Sequence, residues 1–300
     1  MKWPRTAGWA FFALAAASSL CALILRDFQW ITAIIFFGIP WLLRLFLTAA
    51  AWCLIRPATW RWRMVFGLLI VHSLLQAAAS FRWKQVPSPS AGDFEVTLWN
   101  GGRNLYKMDR MWPQLAGADT KLIVLIEAGP FPGDAWNRFV SANPNFQWQR
   151  TTGGIVVGVK GKLLGVEELG NRPRFRCHKL RVEIDATEYA VVTVDIPSQP
   201  WFARQPYLDR IRGISPKNNC LILGDFNTPP SARGFDAWET SFSLANDAHA
   251  KGFKETWCYG LPLLTLDQLW LSKDLIALNT IGQATLRSDH LRMNFRVRRK

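Results

Sequence analysis

An α/β domain behind a set of apolar helices is the architecture this sequence predicts, and three observations predict it. Three apolar runs with tryptophans at their ends fill most of residues 7–80. A short stretch rich in Pro, Ser and Gly follows, and from Phe94 onward short apolar strands alternate with turns and a few helical segments. Many strands with helices between them, some strands apolar throughout, predict two sheets packed face to face with helices outside.

The first run, residues 7–25, reads AGWAFFALAAASSLCALIL, and about 20 such residues cross a bilayer as a helix. Lys2 and Arg5 before it also suit a signal peptide, but two more runs follow at once, over 30–55 and 64–80, which a signal peptide does not explain. Trp3, Trp9, Trp30, Trp52, Trp60, Trp62 and Trp83 gather at the run ends, as interfacial anchors do. Three membrane helices are expected, with residues 1–85 as the anchor. Pro40 and Arg44 interrupt the second run. A charge at mid-bilayer costs about 3 kcal/mol on insertion scales, so a kinked helix with Arg44 snorkelling or paired is expected there. His72 in the third run reads as a packed or hydrogen-bonded helix residue.

The chain carries 36 Lys and Arg against 22 Asp and Glu, a net charge of +14. Residues 1–84 hold nine basic residues and one acid, or +8, which leaves 27 against 21, or +6, for the remainder. The excess therefore flanks the apolar runs, and the rest is not the footprint of a dedicated nucleic-acid binder. Lys2 and Arg5 before the first run, and Arg56, Arg61 and Arg63 in the second loop, outnumber the Arg26/Asp27 pair in the first loop. That bias places the N-terminus inside and the part after the third helix outside the cytoplasm, with Arg82 and Lys84 pulling mildly the other way. Five cysteines without a CxxC pair or zinc-type spacing indicate neither a disulfide framework nor a structural zinc site.

Residues 86–93, VPSPSAGD, mark a linker, and 94–300 form the domain beyond it. The expected strands are FEVTLWN (94–100), KLIVLIE (121–127), GGIVVGV (153–159), LRVEID (180–185), YAVVTVDI (189–196), CLILGD (220–225), LDQLWLS (266–272) and LRMNFRV (291–297). Helical patterning is weaker, at 104–115, 133–141 and about 202–214.

Several strands end in polar residues suited to one shared site. Asn100 closes TLWN before two glycines that permit close approach of a ligand. Glu127 follows five apolar residues and is either a solvated strand end or a ligand. In CLILGDFNTPP an apolar strand delivers Asp225, and Asn227 lies two further on. On a continuing strand the two would face the same side, and the same residues also suit an Asx-rich turn. Asp195 ends VVTVD, Asp267 opens LDQLWLS, and Asp289 and His290 sit together in RSDH before the last strand. His178 and His249 have no such company and read as structural or surface residues.

The order and spacing of TLWN, VLIE, GDFN, LDQLWLS and SDH resemble those of the endonuclease/exonuclease/phosphatase family, the DNase-I-like metal-dependent phosphoesterases, from about Val96 to the C-terminus. The resemblance implies a four-layered αββα sandwich with the active site at one end of the packed sheets. It implies Glu127 as main metal ligand with Asn100 beside it, an oxygen-only set that favours Mg²⁺ or Mn²⁺. It implies Asp225 as the residue that orients or deprotonates the attacking water, and Asn227 as the amide that binds a phosphoryl oxygen. His290 would stabilise the phosphate, Asp267 would support that histidine, and Asp289 would pair with it or approach the metal.

Two departures stand out. Asp195 occupies the position where the family usually carries a His or Tyr that donates a hydrogen bond to the phosphate, and an ionised Asp cannot donate. A second metal or a raised pKa would reconcile it. The domain is also short, with little room for substrate-gripping insertions between Gly101 and Glu127 or around 197–212, although WFARQPYLDRIR (201–212) offers aromatic and basic residues that either contact a phosphate or form an amphipathic surface helix. The expected function is a membrane-anchored, divalent-metal-dependent phosphoesterase. Its partners would be the lipid bilayer and an anionic phosphate ester: a lipid headgroup, nucleic acid or small phosphodiester. The alternatives are an extracytoplasmic nuclease and a degenerate homologue that binds an anion or a partner without turnover.

Overall fold

Strict alternation gives most strands one side for a shared core and the other for helices. The computed structural model describes residues 3–102, 115, 119–129, 131, 134–172, 175–248, 251–285 and 287–300. Four helices come first: α1 (Trp3–Leu20, carried on by a wider turn over Cys21–Leu25), α2 (Trp30–Gly38), α3 (Trp41–Ile55) and α4 (Trp60–Ser80). Then follow β1 (Phe81–Trp83), β2 (Phe94–Asn100), β3 (Thr120–Ile126), α5 (Ala135–Ala142), β4 (Gln147–Arg150), β5 (Val156–Val159), β6 (Lys162–Arg172) and β7 (Phe175–Ile184). The chain continues with β8 (Thr187–Asp195), α6 (Gln205–Ile214), β9 (Cys220–Asp225), β10 (Phe242–Leu244), β11 (Lys251–Phe253), β12 (Asp267–Ser272), β13 (Leu275–Gln283) and β14 (Arg292–Arg299). The helix expected over 104–115 lies outside the described residues except for Leu115.

Two six-stranded mixed sheets form, in the orders β10-β12-β9-β8-β7-β6 and β13-β14-β2-β3-β5-β4. Between them lies a core of Val96, Leu98, Val124, Val157, Leu180, Val191, Leu221, Leu223, Leu269 and Phe295, all fully buried. The outer face of the first sheet is covered by Leu208 and Ile211 of α6, and that of the second by Phe139 of α5. The layers are therefore αββα, as the sequence resemblance implied. A third, two-stranded sheet pairs β1 with β11.

Strands of clean alternation fall where expected. Two strands with register slips are not among those expected: β6, beside Gly165 and Gly170, and β13, between Ala277 and Asn279. Such bulges erase the period-2 signal. The slip between β2 and β3 falls at their starts and leaves their apolar runs intact. The strand expected over 153–159 starts only at Val156, because Gly153 and Gly154 turn at φ +78° and +79°. LRVEID is the second half of the longer β7.

The helices pack on one another at alternating ends. The start of α1 (Phe11, Phe12) meets the end of α3 (Ala51, Ile55) and the start of α4 (Phe66), and Trp9 meets Trp62 edge-on at 4.9 Å. Near the opposite end Ser18 donates to the Ile39 carbonyl at 2.7 Å. There Arg44 also donates to Gln76 at 2.9 Å and sits 3.1 Å from His72 Nδ1. Arg44 is thus paired rather than snorkelling. The sequence reading gives the second apolar run as one kinked helix; it is instead two helices meeting at 80°, because Pro40 lacks the N–H that would carry the ladder on. α1 with its extension (Pro4–Leu25) and α4 are each long and apolar enough to cross a membrane, and α2 with α3 make a third candidate only as a bent pair.

α2 belongs to the sandwich as much as to the helices. Its Ala33 and Phe37 join the outer core with Phe175, Val194 and Phe226. Arg26 before it forms a two-pronged ion pair with Asp236 at 3.0 and 2.7 Å, and Asp27 accepts the Arg233 N–H at 2.8 Å. Trp41 and Ser80 both donate to Glu255. Residues on both sides of 86–93 are therefore fastened to the strands.

Candidate active site

Register assembles the site. Asp267 of β12 stands opposite Asp225 of β9, Asp225 opposite Asp195 of β8, and Asp195 opposite Arg176 of β7. Paired residues share a face, and on β9 that face also carries Leu221 and Leu223 of the inner core. The row is the polar end of the file of inward side chains. The approach of β8 to β9 here requires glycine: a Cβ on Gly224, at φ +150°, would meet the Val194 carbonyl oxygen at 1.9 Å. From the other sheet comes Asn100, in the same file as Val96 and Leu98.

Asp225 is buried and gathers three N–H donors. Asn100 Nδ2 donates at 2.8 Å, Asn227 N at 2.8 Å and Asn227 Nδ2 at 2.9 Å. Burial raises its carboxyl above the ordinary range, His290 pulls it back, and Asp267 and Asp195 add to the rise. Strand alternation does not bring Asn227 here, since β9 ends at Asp225 and Asn227 takes φ +46°. The turn delivers it instead, a conformation Asn tolerates. Asn227 Nδ2 also donates to the Ile196 carbonyl at 2.9 Å, so both of its hydrogens are engaged with the chain.

His290 Nδ1 lies 2.8 Å from Asp267 Oδ2, and Nε2 lies 4.0 Å from Asp289 Oδ1. Burial alone would lower the imidazolium pKa; the carboxylates, Asp267 foremost with Asp225 and Asp289, outweigh it and push the value up to about 10. Ser288, not singled out in the sequence, donates to the Asn100 carbonyl at 2.7 Å and accepts the His290 N–H at 3.0 Å, so it ties the RSDH segment to the end of β2. Trp257 Nε1 holds Asp289 Oδ2 at 2.7 Å. Glu127 follows β3 at φ +51°, which ends strand alternation and turns it to the same cavity.

Arg176 answers the question posed by Asp195. Its Nη1 donates to Asp195 Oδ2 at 2.6 Å, so the departure from the family pattern is an ion pair rather than a lone acid. Arg176 and Glu127 line one hollow of about 360 Å³. The signal was present as Arg-Phe-Arg-Cys-His, but only the register of β7 on β8 turns it into a partner. Arg204 belongs to the 201–212 stretch, expected either to contact a phosphate or to form an amphipathic surface helix. It is buried, stacks on Phe37 at 4.8 Å and donates to the carbonyls of Asn227, Phe202, Pro197 and Ser198. It fastens the loop after β8 to the Asn227 turn, and burial lowers its pKa to about 10. His178 is buried against Thr152, with Nε2 at 2.9 Å from Oγ1, a structural place. His249 lies outside the described residues.

Asn100, Glu127, Asp225, Asn227, Asp289 and His290 all line one cavity of about 890 Å³; Asp195 and Asp267 stand in the row beside it. Among the described residues no three His, Cys, Asp or Glu are grouped to hold a metal ion unaided. Two carboxylates and an amide oxygen nevertheless suit Mg²⁺, which keeps several waters and draws further ligands from a substrate phosphate. Asp289 Oδ1 has room on that side, since a Cβ on Gly102 would stand 3.4 Å from it.

The endonuclease/exonuclease/phosphatase family model matches residues 94–290, and the chain belongs to that family. The fold is similar to that of an endonuclease/exonuclease/phosphatase from Beutenbergia cavernae (16% identity, 69% of this chain and 72% of that one, TM-score 0.51). It is similar also to a humanized D. rerio TDP2 (11% identity, 69% and 99%, TM-score 0.53) and to an AP endonuclease from Archaeoglobus fulgidus (12% identity, 67% and 98%, TM-score 0.52). Identities this low show the fold alone. No curated protein matches the chain.

Proposed function

We propose that the chain is a membrane-anchored phosphoesterase that uses Mg²⁺ or Mn²⁺ and hydrolyses a phosphodiester by in-line attack of water. The observation that carries this is the in-register row Asp267–Asp225–Asp195, facing Asn100 and His290 across the end of the sandwich. Water adds to phosphorus, one ester P–O bond breaks, and the departing oxygen takes a proton. Asp225, held by Asn100 and Asn227, orients the water and accepts its proton; the raised pKa from burial suits that task. His290, kept cationic by Asp267, stabilises charge on the phosphoryl oxygens through Nε2. Asn227 acts by positioning Asp225. Arg176, paired with Asp195 and lining a hollow with Glu127, offers a donor where Asp195 cannot, and this supports the catalytic reading over a non-catalytic homologue.

Glu127, Asn100 and Asp289 would hold the cation. When bound, it neutralises charge on the phosphate.

Anchoring rests on the alternating helix ends. α1 leads toward the sandwich, α3 away and α4 back, so the N-terminus and the sandwich lie at opposite ends of the helices. Combined with the basic residues near the N-terminus and in the α3–α4 loop, this supports a catalytic domain, residues 94–300, outside the cytoplasm. Alkaline phosphatase fused after Lys300 is expected to be active; activity of a cytoplasmic reporter alone would reverse the orientation.

The test of catalysis is hydrolysis of bis(p-nitrophenyl) phosphate by the full-length chain in detergent, with Mg²⁺, Mn²⁺ or EDTA, beside Glu127→Gln. Metal-dependent turnover lost in the variant is expected. No turnover with any metal, while Mg²⁺ still raises Tm, would leave a binding protein. Preferential cleavage of plasmid DNA would make it a nuclease.

A further inference from the structure

The lining of the cavity at the carboxylate row is of two kinds. One is polar, with Asp225, Asn100 and His290. The other is apolar, with Ile34 of α2, Leu43 and Phe46 of α3, and Leu261, Leu263 and Leu264. Ile34, Leu43 and Phe46 are 38%, 39% and 65% exposed, so apolar surface is left uncovered within the site itself.

We infer that this cavity takes a phosphate ester bearing a long alkyl chain, with the phosphate at His290 and the chain along α3 between Phe46, Leu43 and Leu261. The inference rests on the phosphoesterase reading and gives its substrate class: a membrane lipid. The 80° bend accounts for both kinds of lining. α2 lies on the sandwich through Phe37, whereas α3 leaves it. Phe46 is five residues into α3, about 8 Å along the helix axis at 1.5 Å per residue. A lipid would meet the carboxylate row at headgroup depth with its chain still among other chains.

A nucleic acid is disfavoured by the same surroundings. Backbone recognition calls for Lys and Arg free to meet successive phosphates. Arg204 is the one Lys or Arg lining this cavity among the described residues, and its donors hold four backbone carbonyls.

The experiment uses full-length protein in micelles of a sugar-headed, phosphate-free detergent. Binding of ethyl-, octyl- and dodecylphosphonate, whose P–C bonds resist hydrolysis, is measured by calorimetry. Hydrolysis of ethyl and dodecyl p-nitrophenyl phosphate is followed in parallel with Mg²⁺. Each buried methylene contributes severalfold, so dodecylphosphonate is expected to bind at least 100-fold tighter than ethylphosphonate, with kcat/KM following. The doubly substituted Leu43→Ser/Phe46→Ser chain is expected to cut that ratio below tenfold. Leu68→Ser/Leu75→Ser, on α4 and not lining the cavity, should keep it. Equal affinity for short and long chains in the native protein would overturn the inference. So would an undiminished ratio in Leu43→Ser/Phe46→Ser, which would mean partition into micelles alone, or a single-stranded oligonucleotide cleaved with higher kcat/KM than the dodecyl ester. The expected binding pattern without hydrolysis of either ester would sink the phosphoesterase reading and leave the lipid site standing.

Discussion

The N-terminal helices and the sandwich are both rich in apolar side chains, yet they dispose of them in opposite ways. Every residue of β9 and of β12 is buried, whereas on α4 only Phe66, Ser73 and Ser80 are. Leu68, Leu74 and Leu75 of α4 are left exposed. Apolar area facing water costs roughly 25 cal/mol per Å², so the two regions are built for different surroundings. The sandwich hides its apolar surface in itself, and the helices leave theirs for something apolar to cover. The candidate active site lies at the seam, where α2 shares a core with β8 and β9 and α3 turns away.

The comparison can be broken most sharply at its buried side. Trp270 packs with Phe235 and Trp238 in the outer core, and Trp270→Ala is expected to cost roughly 3–5 kcal/mol. Denaturation in detergent would show it, and a loss under 1 kcal/mol would mean that this core does not carry the sandwich. Arg176→Ala comes next. It takes the guanidinium from the nearly buried Asp195, and with Arg176 a quarter exposed the loss should be about 2–3 kcal/mol, below that of a fully buried pair. Arg176→Met with Asp195→Asn should recover most of it; no recovery would show that Arg176 matters for something other than this pair.

Smaller effects probe the seam and the helices. Arg26→Ala removes a two-pronged but largely exposed contact to Asp236 and should cost at most about 1 kcal/mol. A larger loss would mean the docking of α2 hangs on that pair rather than on Phe37. Leu75→Ala in the same detergent should stay within about 0.5 kcal/mol. A Trp270-sized loss there would mean that α4 is covered by protein after all.

How far the sequence could be read follows the same division. β2 and β9 are legible because their alternation or apolar runs are unbroken, and Asn100, Asp225 and His290 because each stands where such a run begins or ends. β6 and β13 are not, since their register slips hide the period. Asn227 was placed by the wrong geometry: a left-handed turn, not a continuing strand, brings it to Asp225. Arg176 escaped notice because its meaning is a cross-strand neighbour, and neighbours belong to register rather than to local pattern. The apolar wall of the cavity was equally hidden. It joins Phe37 and Phe46 to residues about two hundred positions later, through a bend at Pro40 whose angle local pattern does not set.

The most direct test of the central claim is hydrolysis of bis(p-nitrophenyl) phosphate by His290→Ala in the full-length chain, with Mg²⁺ and with Tm measured alongside. A fall in kcat of about 10²–10³, read where the variant is still folded, is the predicted result, the size of a lost contact to developing charge; Tm is expected to fall as well, because the buried Asp267 loses its imidazolium partner. A rate equal to that of the native protein would show that the histidine at the end of the carboxylate row takes no part in the chemistry.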